Sequence, residues 1–273
     1  MNPLVFTLKT ELQQRLDLSP LVPNLLQGKT PDDIKALPLS YGNRHLNVDN
    51  VFDMTGEDTQ HLIFKADCGK LDHIGAVMQG GTIEIYGSIG AYLGRDMRKG
   101  KIEIHGNTDA YTAAGMKGGE IFIHGNAGDY LGSARAGERQ GMRGGRVIVT
   151  GNAGHRVGDQ LRRGMIIIEG DAGDYCASRM VAGTIAIFGQ VGSYLGYGMQ
   201  RGTVILSRPP AHLLATFNDC GQHELLFLRL LEKSLQYPNS RIPRALFSAP
   251  VQRFAGDLAT IGKGEILVMG GIQ

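Results

Sequence analysis

Four groupings of residues in this chain are of types that do chemistry. The segment Leu25 to Thr30, LLQGKT, ends like a phosphate-binding loop. Such a loop needs a glycine five residues before its Gly-Lys, and Pro23 holds that place. The segment therefore reads as a surface turn ahead of a short helix, TPDDIKAL. His105 and His124 stand nineteen residues apart in nearly identical surroundings and, stacked, could hold a metal. A metal site wants further ligands, and no third one repeats beside them, although Glu169 takes the same place further along. The pair reads as a solvated or interface ladder, and the solitary His155 likewise. Glu84 and Glu103 would stack as a carboxylate pair of the kind that shares a proton in acid–base catalysis. Exposed strand faces often carry such glutamates, which points instead to solvent or a basic partner. The fourth grouping is basic: Arg98-Lys99, Lys117, Arg143, Arg162-Arg163 and Arg201. Nothing in the spacing suggests a Ser/His/Asp or Cys/His arrangement, and no two cysteines have metal-ligand spacing.

What positions these residues is a repeat. A glycine closes an apolar-alternating strand at Gly87, Gly106, Gly125, Gly151, Gly170 and Gly189, and another precedes each strand at Gly81, Gly100, Gly119, Gly145, Gly164, Gly183 and Gly202. The step is 19 residues, except from Gly125 to Gly151, where an insertion at Ser133 to Gln140 stretches it to 26. Three residues before each second glycine stand Met78, Met97, Met116, Met142, Leu161, Met180 and Met199. Sequence self-similarity at so fixed a period is the mark of a solenoid. Nineteen residues are too few for a strand and a long helix, so the expected fold is an all-β solenoid, a parallel β-helix of about seven 19-residue coils.

Within each coil, positions such as Ile102/Ile104 and Ile166/Ile168 alternate at period two and would stack as inner ladders. The methionines form a second ladder. Tyr92, Tyr111, Tyr130, Tyr175 and Tyr194 form a third, interrupted by Arg156. Outward positions run Glu84, Glu103, Phe122, Ile148, Ile167, Ala186, Ile205, so the later outer face is apolar and must be covered. The candidates are a partner protein or the segment Gly221 to Leu235, whose leucines 225, 228, 231 and 235 share one helical face. The expected organisation is an α/β N-terminal cap over 1–60, the repeats over 61–208, and a helical C-terminal tail over 209–273.

Repetition also decides two chemical questions. A dinucleotide-binding glycine fingerprint occurs once, between a strand and a helix, whereas GNAGDYLG has a cousin at every coil and reads as corner geometry. The basic residues occupy equivalent corners, so they would align into a positive stripe able to follow an anionic chain, or into a solvated edge that discourages aggregation. RNA is disfavoured, because no aromatic residues interleave with the basic ones.

Composition narrows the setting. The net charge of +2 over 273 residues gives no global reason to expect nucleic acid or a membrane surface as partner. No run approaches a transmembrane span, and the first residues lack the pattern of a signal peptide. Three well-separated cysteines fit a reducing compartment, so the expected location is cytoplasmic.

The coil pattern G-x-I-x-I-x-G-N-x-G-D-Y resembles the GXGXG domain found in the large polypeptide of glutamate synthase and in the C subunit of formylmethanofuran dehydrogenase. The flanks LPLSYGNRHLNVDNVFDM, AHLLATFNDCGQHELLFLRLL and RFAGDLATIGKGEILV resemble the second family over nearly the whole chain. Within it, the chain is similar to C subunits of bacterial formyltransferase/hydrolase complexes. The resemblance implies a right-handed helix and a structural, non-catalytic role beside three other subunits: a formyltransferase, an amidohydrolase-like subunit and a dehydrogenase-like one. It further implies that the complex moves a formyl group from tetrahydromethanopterin to a furan-type coenzyme and hydrolyses it to formate, with the metal in a partner subunit and no cofactor bound by this chain alone. The coenzymes of this family carry a polyglutamate tail, which makes that tail a candidate ligand for the basic stripe. Two alternatives stay open: the C subunit of a molybdenum or tungsten dehydrogenase, and a stand-alone module for an acidic polymer.

Overall fold

The computed structural model describes residues 2–238, 240, 242 and 249–270. Met1 of the expected cap and the other residues of the expected tail lie outside the described residues. The N-terminal part supplies strands β1 (Pro3–Leu8), β2 (Leu16–Asp17), β3 (Pro38–Tyr41), β4 (Arg44–Asn47), β5 (Phe52–Thr55) and β6 (Asp58–Lys65), with short helices α1 (Pro23–Leu26), α2 (Pro31–Lys35) and α3 (Val48–Val51). Helix α2 begins at Thr30, whose side chain accepts from the Asp33 amide while Asp33 answers the Thr30 amide. That capping box explains why the Gly-Lys-Thr run is a helix start and not a phosphate loop.

After β7 (Leu71–Asp72) come the repeat strands β8 (Gln79–Tyr86), β9 (Lys99–His105), β10 (Glu120–Ile123), β11 (Arg143–Val149), β12 (Arg163–Ile168), β13 (Thr184–Ile187) and β14 (Arg201–Leu206). Each pairs in parallel with the next, equivalent residue against equivalent residue: Ile83, Ile102, Ile121, Val147, Ile166, Ile185 and Val204 form one unbroken row. These are the inner ladder positions, and all are fully buried. A second row of single bridges, Thr108–Ala127–Ala153–Ala172–Val191, runs alongside, so the repeats are in register at more than one edge. The insertion does not break the register. Arg135 of the insertion pairs with Asp96 and Glu138, and Ala136 to Arg139 stay exposed.

The methionines and glycines of the repeat are one device. The methyl of Met78 lies 2.7 Å from where a Cβ on Gly100 would be, and Met97 on Gly119, Met116 on Gly145 and Met180 on Gly202 repeat that distance. These glycines also have positive φ, so they suit the corner twice over. The flexible thioether of one repeat fills the space the next repeat's glycine leaves free.

The tail holds more strand than the sequence suggested. Strands β15 (Asn218–His223), β16 (Val251–Gly256) and β17 (Lys263–Val268) join helix α4 (Phe227–Leu235) there. β17 continues the parallel series beside β14, and β16 and β15 follow antiparallel. At the other end β6 pairs with β8, and β1 and β5 complete a 13-stranded, mostly parallel sheet. The inner face carries the main core. A second core forms on the outer face, where Ile148, Ile167, Ala186 and Ile205 meet Leu228, Leu235 and Val251. The covering of the apolar outer strands therefore comes from the same chain, through the leucine face of α4. No helix of the described residues is long and apolar enough to cross a membrane.

Candidate functional site

The outer face of the sheet changes chemistry along its length. In register, its central row runs Ile63, Glu84, Glu103, Phe122, Ile148, Ile167, Ala186, Ile205. The apolar part lies under the tail. The polar part starts beside Tyr237, which packs edge-on against Phe122 at 5.2 Å and whose hydroxyl donates to Glu169. Burial and that carboxylate push the Tyr237 phenol well above its usual range.

Beyond Phe122 sits a group of side chains that strand geometry brings together. Residues two apart on a strand share a face, so Glu103 and His105 both project outward from β9. His124, just after β10, is held in the next rung by its amide donating to Ile104. The imidazoles of His105 and His124 stack at 4.5 Å and 7°. Tyr86 stacks on the other side of His105 at 4.7 Å, and Phe122 lies against His124 at 4.3 Å. Nε2 of His124 is 2.9 Å from Oε1 of Glu103, and Nε2 of His105 is 4.0 Å from the same oxygen. Lys101 binds the other oxygen at 2.7 Å. The bonds from His124 and then Lys101 hold the Glu103 carboxyl below its ordinary range.

The expectation that the two histidines lack a third ligand is thereby corrected: Glu103 is beside them. It was missed because a third ligand was sought as another repeating row, whereas it stands two residues back on the same strand. Glu84 and Glu103 likewise do not form a bare carboxylate pair. Glu84 meets His61 at 2.8 Å and accepts from the Tyr86 hydroxyl at 3.1 Å. His155 is a structural rung. Its Nδ1 accepts the Asp174 amide at 3.0 Å, as Asp129 accepts the amide of His155 and Asp174 that of Ser193.

The basic corners align as their equivalence requires. The amides of Arg98, Lys117, Arg143 and Arg162 donate to the carbonyls of Met78, Met97, Met116 and Met142, which sets these residues in one row. The row then passes to Val181 and Gln200, so four successive repeats are basic and the next two are not. Lys99, Arg163 and Arg201 stand one residue further along, with Arg163 the register partner of Arg143, and Arg201 that of Lys263. Arg98, Lys99, Lys117, Arg162, Arg163 and Arg201 are exposed. Arg143 is half-buried and lies 3.7 Å from Asp96, so part of its charge is met within the chain.

A third surface is the tyrosine ladder. Tyr92, Tyr111 and Tyr130 stack at 5.1 and 4.7 Å, and Tyr175 and Tyr194 at 4.7 Å. Arg156 does not break the ladder but continues it, its guanidinium 4.7 Å from the Tyr175 ring centre. His73, stacked on Tyr92 at 4.8 Å, is a first rung that the tyrosine pattern did not reveal. Between this ladder and the insertion lies a cleft of about 440 Å³, lined by Tyr111, Tyr130, Arg135, Asp159 and Arg179. Its charged groups are paired: the buried Asp159 accepts from Arg179 and Ser178.

Fold and surfaces together define a structural class: glycine-cornered repeats paired in parallel that present rows of side chains. The GXGXG motif model matches residues 70–220. The C subunit of the formyltransferase/hydrolase complex Fhc of Methylorubrum extorquens is 45% identical over 261 residues, 96% of this chain and 97% of that one. A chain of the crystal structure of the FhcABCD complex from the same organism, solved with methylofuran, superposes with a TM-score of 0.91 at 36% identity, covering 98% of this chain and 100% of that chain. The C subunit of the tungsten-containing formylmethanofuran dehydrogenase 2 of Methanothermobacter marburgensis is 31% identical over 99 residues, 34% of this chain and 37% of that one. The chain belongs to the GXGXG family, and within it to the C subunits related to that of the formyltransferase/hydrolase complex.

Proposed function

We propose that this chain is the structural, non-catalytic C subunit of a formyltransferase/hydrolase complex, a cytoplasmic four-subunit assembly. The complex would move a formyl group from tetrahydromethanopterin to a furan-type coenzyme and hydrolyse it to formate. The observation that carries this reading is coverage. Similarity to the C subunit of such a complex extends over 96% of the chain, so the cap and tail match as well as the repeats. The match to the tungsten dehydrogenase relative stops at 34% of the chain, which makes that assembly the second reading. On the first reading, formyl transfer and metal-dependent hydrolysis belong to partner subunits, with a dehydrogenase-like subunit as the third partner. The continuous inner row across seven parallel repeat strands supports a right-handed parallel β-helix of about seven 19-residue coils over 61–208, between a cap over 1–60 and a tail over 209–273.

The row Arg98, Lys117, Arg143, Arg162, with Lys99, Arg163 and Arg201 beside it, guides the polyglutamate tail of the coenzyme between active sites. Its support is a run of mostly exposed cations at repeat spacing, mostly without carboxylate partners among the described residues. The test is the triple variant Arg98→Glu, Lys117→Glu, Arg162→Glu in the whole complex. Coenzyme affinity should fall by about tenfold or more at low salt, and the difference should shrink as salt screens exposed charges. An intact complex with unchanged affinity at low salt would remove the stripe from the account. To test the scaffold role itself, the other three subunits are expressed without this chain. Loss of the assembled particle with each isolated subunit still folded is the expected result; a full-sized, active particle contradicts it.

A further inference from the structure

We propose that Glu103, His105 and His124 form a binding site for a divalent first-row transition metal ion on the outer face of the sheet. One oxygen or ring nitrogen from each of the three can be chosen so that all lie within 4.8 Å of one another. A tetrahedral ion with bonds near 2.0–2.2 Å asks for ligand separations of roughly 3.4 Å. The two distances to Glu103 Oε1, 2.9 and 4.0 Å, lie on either side of that value. Rotation of the two imidazoles about their side-chain bonds, opening the stack, would close the set.

The framework is organised for this. Both backbones are fixed by the parallel ladder, and each imidazole has an aromatic neighbour, Tyr86 stacked on His105 and Phe122 tilted against His124 from the same strand. Both stacked imidazoles turn Nε2 toward one carboxylate oxygen. An ion that takes both nitrogens and that oxygen turns the two rings out of their parallel stack, so that each in-plane lone pair points at the metal. Lys101 occupies only the other oxygen, Oε2, so Oε1 remains the coordinating atom. Two imidazoles and a carboxylate suit zinc and its neighbours, not magnesium or calcium. Water would complete the coordination, since the side chains of His105 and His124 are 38% and 36% exposed. The site stands whether or not the chain is part of the proposed assembly.

The experiment titrates the full chain with Zn²⁺ by calorimetry and with Co²⁺ by its visible ligand-field absorption. One saturable ion per chain is expected. His124→Gln keeps a side-chain N–H donor for Glu103 but removes the imidazole. It should lower Zn²⁺ affinity at least tenfold while the metal-free protein stays folded, and His105→Gln should do the same. Lys101→Met removes a competing positive charge and should tighten binding severalfold. Absence of saturable binding, or affinity unchanged in both glutamine variants, would overturn the site and leave a ladder of hydrogen bonds and stacked rings. Should a variant fail to fold, histidine-ring NMR of the wild-type chain decides, because Zn²⁺ must shift the His105 and His124 resonances and leave those of His155 in place.

Discussion

Cys176 is a reporter placed by the repeat in the buried interior. It occupies the inner row of Val157 and Leu195, with no exposed surface, whereas Cys220 is exposed and Cys68 lies between. Burial among apolar side chains disfavours the thiolate and pushes the Cys176 thiol from 9.0 up to about 12. At pH 8 that change cuts the reactive thiolate from about a tenth of the population to about one part in ten thousand, roughly a thousandfold. Steric exclusion adds to it, because a reagent must enter a row sealed above and below by neighbouring repeats. The assay is iodoacetamide labelling in native buffer, with each cysteine followed by peptide mass spectrometry across a urea series. Cys220 should be modified completely before Cys176 is detectable. Labelling of Cys176 should rise only with global unfolding, with a denaturant dependence equal to the equilibrium one. If Cys176 labels at a rate within about tenfold of Cys220 at zero urea, the interior rows are not packed as described and the reasoning fails.

Other consequences follow from single side chains. A Cβ on Gly106 would stand 2.3 Å from the Gly87 carbonyl oxygen, and the clash is with backbone, which cannot swing aside as a flexible side chain would. Gly106→Ala should cost about 1–3 kcal/mol in urea melts, while Gly69→Ala, which meets nothing within 4 Å, should stay near neutral. Leu235→Asp places an unpaired charge against Ile148 and Ile167, so α4 should detach and become the first site of proteolysis; unchanged protease resistance would contradict the covering role of the tail. Because the Glu103 carboxyl titrates below its ordinary 4.5 in the folded chain, its bonds stabilise the fold above that pH, and their contribution is lost as the pH falls through the lower folded value. Glu103→Gln should therefore flatten the acid limb of the stability curve below about pH 4.5, and an unaltered limb would show that His124 and Lys101 contribute nothing there.

Much of this was legible because a 19-residue period puts equivalent residues in one row, so a row can be read before its geometry is known. The inner isoleucines, the tyrosines and the leucine face of α4 behave as their periodicity requires. The pairing of methionine with glycine was visible as a coincidence but not as a cause, since the two that touch belong to different repeats: Met78 fills the space over Gly100, not over Gly81. Val251–Gly256 and Asn218–His223 were not read as strands because their pairing depends on β17 being in place, a tertiary condition. Glu103 escaped as a possible ligand because the cluster mixes two relations, two residues along a strand and one repeat across. Arg143 is basic like its neighbours in the row, and only the fold reveals that Asp96 meets part of its charge.

The central claim is that this chain is an assembly scaffold. Its most direct test is the native mass of the chain isolated from its own host at low salt, with the co-purifying proteins identified. The account predicts a stable particle holding three unlike subunits, active in formyl transfer and hydrolysis and free of a molybdenum or tungsten pterin. A clean monomer of 29.4 kDa would contradict it and turn attention to the basic row as a binding surface for acidic polymers.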